Sequence, residues 1–187
     1  MQGFACGEVS ASLAFAGLGD SLLEDAACRA LARVAGEELI HEKLLRGLRG
    51  ALPAPAPDRE LRRALLRFYH GIAQADIGLH LASIAALDSA VCLILAVLLE
   101  PDRVLAQEPA ANTIFRRIHR DEAGHVRLSR RIAAELVQGD VIGAVAETAR
   151  LGLVGVLARR GTAFESLGID ADRLFRRIGR VPNGLFR

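Results

Sequence analysis

The chain has 187 residues, of which 51% are hydrophobic, 4% aromatic and 25% charged; this describes a globular protein with a substantial core and excludes a disordered one. The formal charge of +2 gives no general case for nucleic-acid binding, and the basic residues are all arginine except Lys43, a skew that fits genome composition better than a binding function. Cys6, Cys28 and Cys92 are odd in number and far apart, with no Cys-x-x-Cys among them, so a disulfide framework and a zinc knuckle are both excluded and buried thiols in a reducing compartment are expected.

Ala, Leu and Arg dominate, which favours helix over sheet. Residues 2–17 are predicted to form a first helix, stopped by "GLGD"; Glu8 falls where a signal peptide would be apolar, so a cytoplasmic protein is expected. Asp20 or Ser21 caps a second helix running to about Gly50. The Pro-rich connector "ALPAPAPD" ends in Asp58, a good N-cap for a helix over 59–73. An apolar helix follows at about 76–100, then "PDRVLAQEPA", a helix over 109–138, the stop "QGD", a helix over 141–160 and a short one at 171–179. No run alternates like a strand. The fold class is therefore all-α, read as one domain: an antiparallel bundle over about 1–160 with a helical C-terminal extension.

Within the apolar helix, "LASIAALDSAVCLILAVLL" (81–99) carries a single charge, Asp88. Its length admits a membrane span, but a carboxylate at the centre is expensive in lipid, and no second span of this kind is expected. The reading is a buried helix of a bundle, with no membrane.

Two stretches concentrate protonatable groups: "EELIH" (37–41) and "DEAGH" (121–125). Glu38-x-x-His41 and Glu122-x-x-His125 share one geometry, because residues three apart on a helix lie about 60° apart and one turn along, so both side chains can converge on one point. In an antiparallel hairpin, residues at one depth are equidistant from the turn. Glu8 and Glu38 have their midpoint at 23 and Asp88 and Glu122 at 105, each at or beside a predicted turn. Four carboxylates and two imidazoles in one layer suit a pair of iron or manganese ions better than zinc. A carboxylate such as Asp88 amid so many apolar residues needs compensation, and a metal is the simplest one.

On these motifs the chain resembles the ferritin-like di-iron carboxylate superfamily over roughly residues 1–140. The resemblance implies a ferritin-like four-helix bundle in which Glu8 and His41 bind one iron, Asp88 and His125 the other, and Glu38 and Glu122 bridge. Asp88 stands where many members carry Glu, Gly124 where many carry Arg, and no rubredoxin module is present. Glu37 and Asp121 either accept a hydrogen bond from the ligand imidazole of the opposite helix pair and orient it, or are surface acids. The spacing of His119 permits a third histidine ligand, a feature resembling the di-iron N-oxygenases, and equally a cap on the site through a water or a solvent-facing side chain. His70, His80 and Tyr69 are expected to be structural, and Arg127, Arg130 and Arg131 helix surface.

The activity implied is that of a di-iron oxygenase or oxidase that uses O2 to hydroxylate or N-oxygenate a small or carrier-bound organic substrate. Its electrons would come from an external ferredoxin or reductase, since no flavin or Fe–S motif is present. The alternatives are a ferroxidase or storage protein, which the basic isoelectric point disfavours, and a metal-free scaffold. A homodimer is compatible with the chain, and nucleic acid is not an expected partner. The arginines Arg173, Arg176, Arg177, Arg180 and Arg187 read as a solvated helix face or a dock for an acidic partner.

Overall fold

The structure is a computed structural model that describes residues 25–51 and 58–180; the expected first helix, with Glu8 and Cys6, and the terminal Arg187 lie outside the described residues. The described elements are helices, and no strand occurs among them. The chain divides into two compact units, Met1–His70 and Gly71–Arg187.

In the first unit, helix α1 (Asp25–Gly50) buries Leu31, Val34, Ala35, Glu38, His41, Glu42 and Leu45. Steps of three and four trace one stripe along the helix. Glu38 and His41 thus occupy positions where an apolar side chain would ordinarily pack. Helix α2 (Arg59–Ile72) begins at the expected cap, where Asp58 Oδ1 accepts from the Leu61 amide at 2.9 Å.

The second unit is built on helix α3 (Ile77–Leu98), capped by Asp76, whose side chain accepts from the Leu79 amide at 2.8 Å. A short helix α4 (Val104–Gln107) fills the predicted turn, and α5 (Pro109–Leu136) returns along α3. Cys92 reaches the backbone of His119, Ser89 reaches Arg130, and Gly78 meets Val137. Numbers fall on one helix as they rise on the other, so the pair is antiparallel, as its turn position required. Gly139 (φ 89°) then supplies the left-handed turn into α6 (Val141–Leu157). A single 3-10 turn, Ala158–Arg160, leads to α7 (Gly161–Glu165), and α8 (Ala171–Gly179) packs back on α6.

Alanines set the spacing of this unit. Ala82, Ala85, Ala86 and Ala90 are fully buried on α3, and Ala86 meets Ala146 and Ala149 of α6. Without longer side chains between them the helices approach closely. Among the described residues two helices are long and apolar enough to cross a membrane, Ile77–Leu98 and Val141–Glu165, the second contrary to the sequence reading. In the first, 78% of the most apolar window is buried in the protein, against 33% in the second. Arg150, at the middle of α6, is turned inward and only 1% exposed. Glu147 and Arg150 are the two charges that interrupt the apolar run of α6.

Gly78 marks the tightest approach. A Cβ there would fall inside van der Waals contact with the stiff Val137 side chain and stand 3.0 Å from Leu136 Cβ. Gly→Ala inside a helix normally stabilises by about 1 kcal/mol. Here the overpacking reverses the sign, and Gly78→Ala is expected to cost about 1–3 kcal/mol in denaturant unfolding. A stabilised variant would show that α3 and the end of α5 are not in contact.

Candidate metal centre

On α5 the buried stripe runs Ala111, Phe115, Ile118, Glu122, His125, Val126, Ser129, Ile132 and Ala133. As on α1, the Glu-x-x-His pair replaces core residues and is not part of a charged surface. Glu38 and His41 are 1% and 0% exposed, Glu122 and His125 3% and 1%. Among glutamates and histidines of a helical protein such burial demands compensation for the lost water.

The two pairs have the same internal geometry. His41 Nδ1 lies 3.6 Å from Glu38 Oε2, and His125 Nδ1 lies 3.8 Å from Glu122 Oε2. These separations are too long for a hydrogen bond. They fit two donors on one ion, since ligands held at about 2.1 Å stand between about 3 and 4.2 Å apart as the angle at the metal opens from 90° to 180°. Carboxylate oxygen with imidazole nitrogen is also the donor chemistry of iron, manganese or zinc. Each pair therefore fits one side of a metal site.

Asp88 is buried on α3, facing the same α3–α5 seam, yet it does not join Glu122 and His125 within 4.8 Å. Cys92 lies one turn along α3 and feels the Asp88 charge. Burial pushes the Cys92 thiol up to about 12, and the Glu122 and Asp88 carboxylates push in the same direction against Arg130. The protonated thiol donates to the His119 carbonyl at 4.0 Å. Cys92 and Cys28 are half-buried, less enclosed than the expected buried thiols.

Thiolate chemistry gives a direct check. At pH 8 a thiol moved from 9.0 to about 12 has roughly a thousandfold less thiolate. Iodoacetamide labelling of Cys92, followed by mass spectrometry, is expected to be slower by at least that factor in the native chain than in denaturant. The raised value also signs the pH dependence. The native state retains this proton while the unfolded one releases it, so stability falls as pH rises from about 9 towards 12. Equal native and unfolded labelling rates would remove Cys92 from the buried seam.

The flanking acids look along their own helices. Glu37 pairs with Arg33 at 3.7 Å, and Asp121 stands 3.6 Å from both Arg117 and Arg120. His119 is half-buried. His80 is half-buried and accepts from the Gln74 amide at Nδ1 (3.4 Å), and burial lowers its pKa below the ordinary 6.5. His70 is exposed at the end of α2, and the Tyr69 ring lies tilted at 53° to that of Phe68 with centroids 5.4 Å apart.

Arginine is where the sequence reading fails. Arg127 and Arg131 are exposed as expected, but Arg130 is half-buried and donates from Nη2 to Ser89 Oγ at 3.3 Å. Burial and the charge of Arg150 both lower the Arg130 pKa, so the two guanidiniums are neighbours. Arg150 was not singled out from the sequence at all. Its signal is a charge inside the apolar run "AVAETARLGLVGVL", where Glu147 is the one other charge, a weaker form of the signal that singled out Asp88. Comparison with known proteins returns no matching family model, no matching curated protein and no matching solved structure.

Proposed function

We propose that this chain is a non-haem di-iron oxygenase or oxidase on a ferritin-like four-helix bundle, acting with O2 on a small or carrier-bound organic substrate. The observation that carries the reading is the duplicated Glu-x-x-His pair at core positions, with both members buried each time. Following the duplication in the sequence, Glu38 with His41 and Glu122 with His125 are taken as the two halves of one dinuclear ligand set, completed by Glu8 and Asp88. His119 is the candidate for an additional ligand. Two irons, or manganese, would supply O2 activation when bound.

The chain's own residues do the rest. The carboxylates keep the ligand set anionic and the imidazoles offer Nδ1. The apolar wall of α3 around Leu81, Ala85 and Ile84 keeps water away from the seam. Electrons come from a separate ferredoxin or reductase. An iron-handling ferroxidase would use the same ligands, with iron as substrate.

A metal-free scaffold is the competing reading, favoured by the inward Arg130 and Arg150, which can balance buried carboxylates without an ion. Metal analysis of protein produced without added metal decides. About two iron per chain is expected, as in dinuclear bundles. Protein that holds no metal, and whose unfolding midpoint does not move when Fe(II) is added anaerobically, sinks the proposal.

A further inference from the structure

Away from the buried acids, a pocket of about 120 Å³ opens in the second unit between the end of α3, Arg103 and the start of α8. Val97, Ile169 and Leu174 form its apolar floor. Its charged wall holds three arginines, Arg103, Arg173 and Arg177, against two acids, Glu100 and Asp170, leaving one positive charge in excess.

The five charges differ in what they already do. Arg103 donates from Nε and Nη2 to Glu100 Oε2 at 3.1 and 2.9 Å and from Nη1 to the Gly168 carbonyl. That pair is internally neutral and fixed. Asp170 caps α8, accepting the Arg173 amide at 2.8 Å. Arg173 and Arg177 remain. They stand one turn apart on α8, a spacing at which like charges disfavour a helix. Among the described residues neither side chain has an ion-pair or hydrogen-bond partner.

We propose that this pocket binds a single phosphoryl-class oxyanion, inorganic phosphate or the phosphate of a small phosphomonoester, between Arg173 and Arg177. Guanidinium forks match the several oxygens of a tetrahedral oxyanion, and two forks together match its double charge. The volume is below that of drug-sized ligand sites, which suits one headgroup. Glu100 and Asp170 in the same wall disfavour a polyanion, so the neighbouring arginines do not add up to a nucleic-acid surface.

The test is calorimetric or NMR titration at fixed ionic strength of the full chain with inorganic phosphate and with glycerol phosphate. Saturable binding is expected, weakened at least tenfold by Arg173→Gln with Arg177→Gln. It should be unchanged by Arg176→Gln with Arg180→Gln, two exposed arginines, one on the same helix and one at its C-cap, that do not line the pocket. Tighter binding of glycerol phosphate assigns the apolar floor to an organic ester, and equal binding assigns the site to the free anion. Absence of saturable binding overturns the proposal, and so does equal weakening by both double variants, which would mark a diffuse charge effect. Circular dichroism of each variant confirms that the helix content is retained.

Discussion

Glu122→Leu combined with His125→Leu is expected to give a folded chain that has lost most of its Fe(II)-dependent stabilisation. The reasoning sets two magnitudes against each other. Without metal, the wild type buries a carboxylate and an imidazole that are 3% and 1% exposed on a stripe of Phe115, Ile118, Val126 and Ile132. Replacing buried ionisable groups by apolar ones of similar volume is neutral or stabilising by about 1–4 kcal/mol. With metal, a ligand at about a thousandfold excess over its dissociation constant stabilises the native state by about 4 kcal/mol. The double variant should therefore unfold at the same or a higher denaturant concentration than metal-free wild type, while Fe(II) moves wild type upward and the variant little. Anaerobic denaturant unfolding with and without Fe(II) measures all four midpoints. A wild type insensitive to Fe(II), or a variant equally sensitive, would remove Glu122 and His125 from any metal site.

Most of the helix pattern was legible because strong local signals delimit it. Asp58, Asp76 and Asp170 cap their helices as capping residues should, and "QGD" stops α5 with Gly139 in the left-handed region. The last helix, Ala171–Gly179, begins and ends where its pattern placed it. Helices α4 and α7 were not read, since four or five residues are too few to display a helical period. Of the candidate site, the Glu-x-x-His pairs were legible because acids on an apolar stripe stand out. Glu8 lies outside the described residues. What stayed hidden was the basic side of the α3–α5–α6 core. Arg130 follows Arg127 and precedes Arg131, so the pattern of charge on α5 resembles a surface, yet this one arginine turns in to Ser89. Long flexible side chains can snorkel either way, and sequence spacing alone does not decide which.

That hidden basic side is what makes Asp88 the position at which the two readings part. Asp88→Asn keeps the volume and removes the charge of a side chain 7% exposed in the α3–α5 seam. If Asp88 serves as a ligand, the metal-free chain should be unchanged or slightly stabilised, because a buried charge is gone. Fe(II) affinity should fall at least tenfold, since even groups that only orient metal ligands cost about 10–100-fold when lost. If Asp88 instead balances Arg130 or Arg150, the same substitution leaves a guanidinium buried without its counter-charge. Metal-free stability should then drop by about 3–5 kcal/mol, whatever the Fe(II) concentration. The expected result is the first. The predicted effects differ in sign for the metal-free protein, so its unfolding curve alone separates them before any metal is added. A loss of several kcal/mol there would assign Asp88 to a buried ionic network with the arginines. The carboxylates of α3 and α5 would then be held by the protein's own charges, and the dinuclear reading would lose its partner on α3.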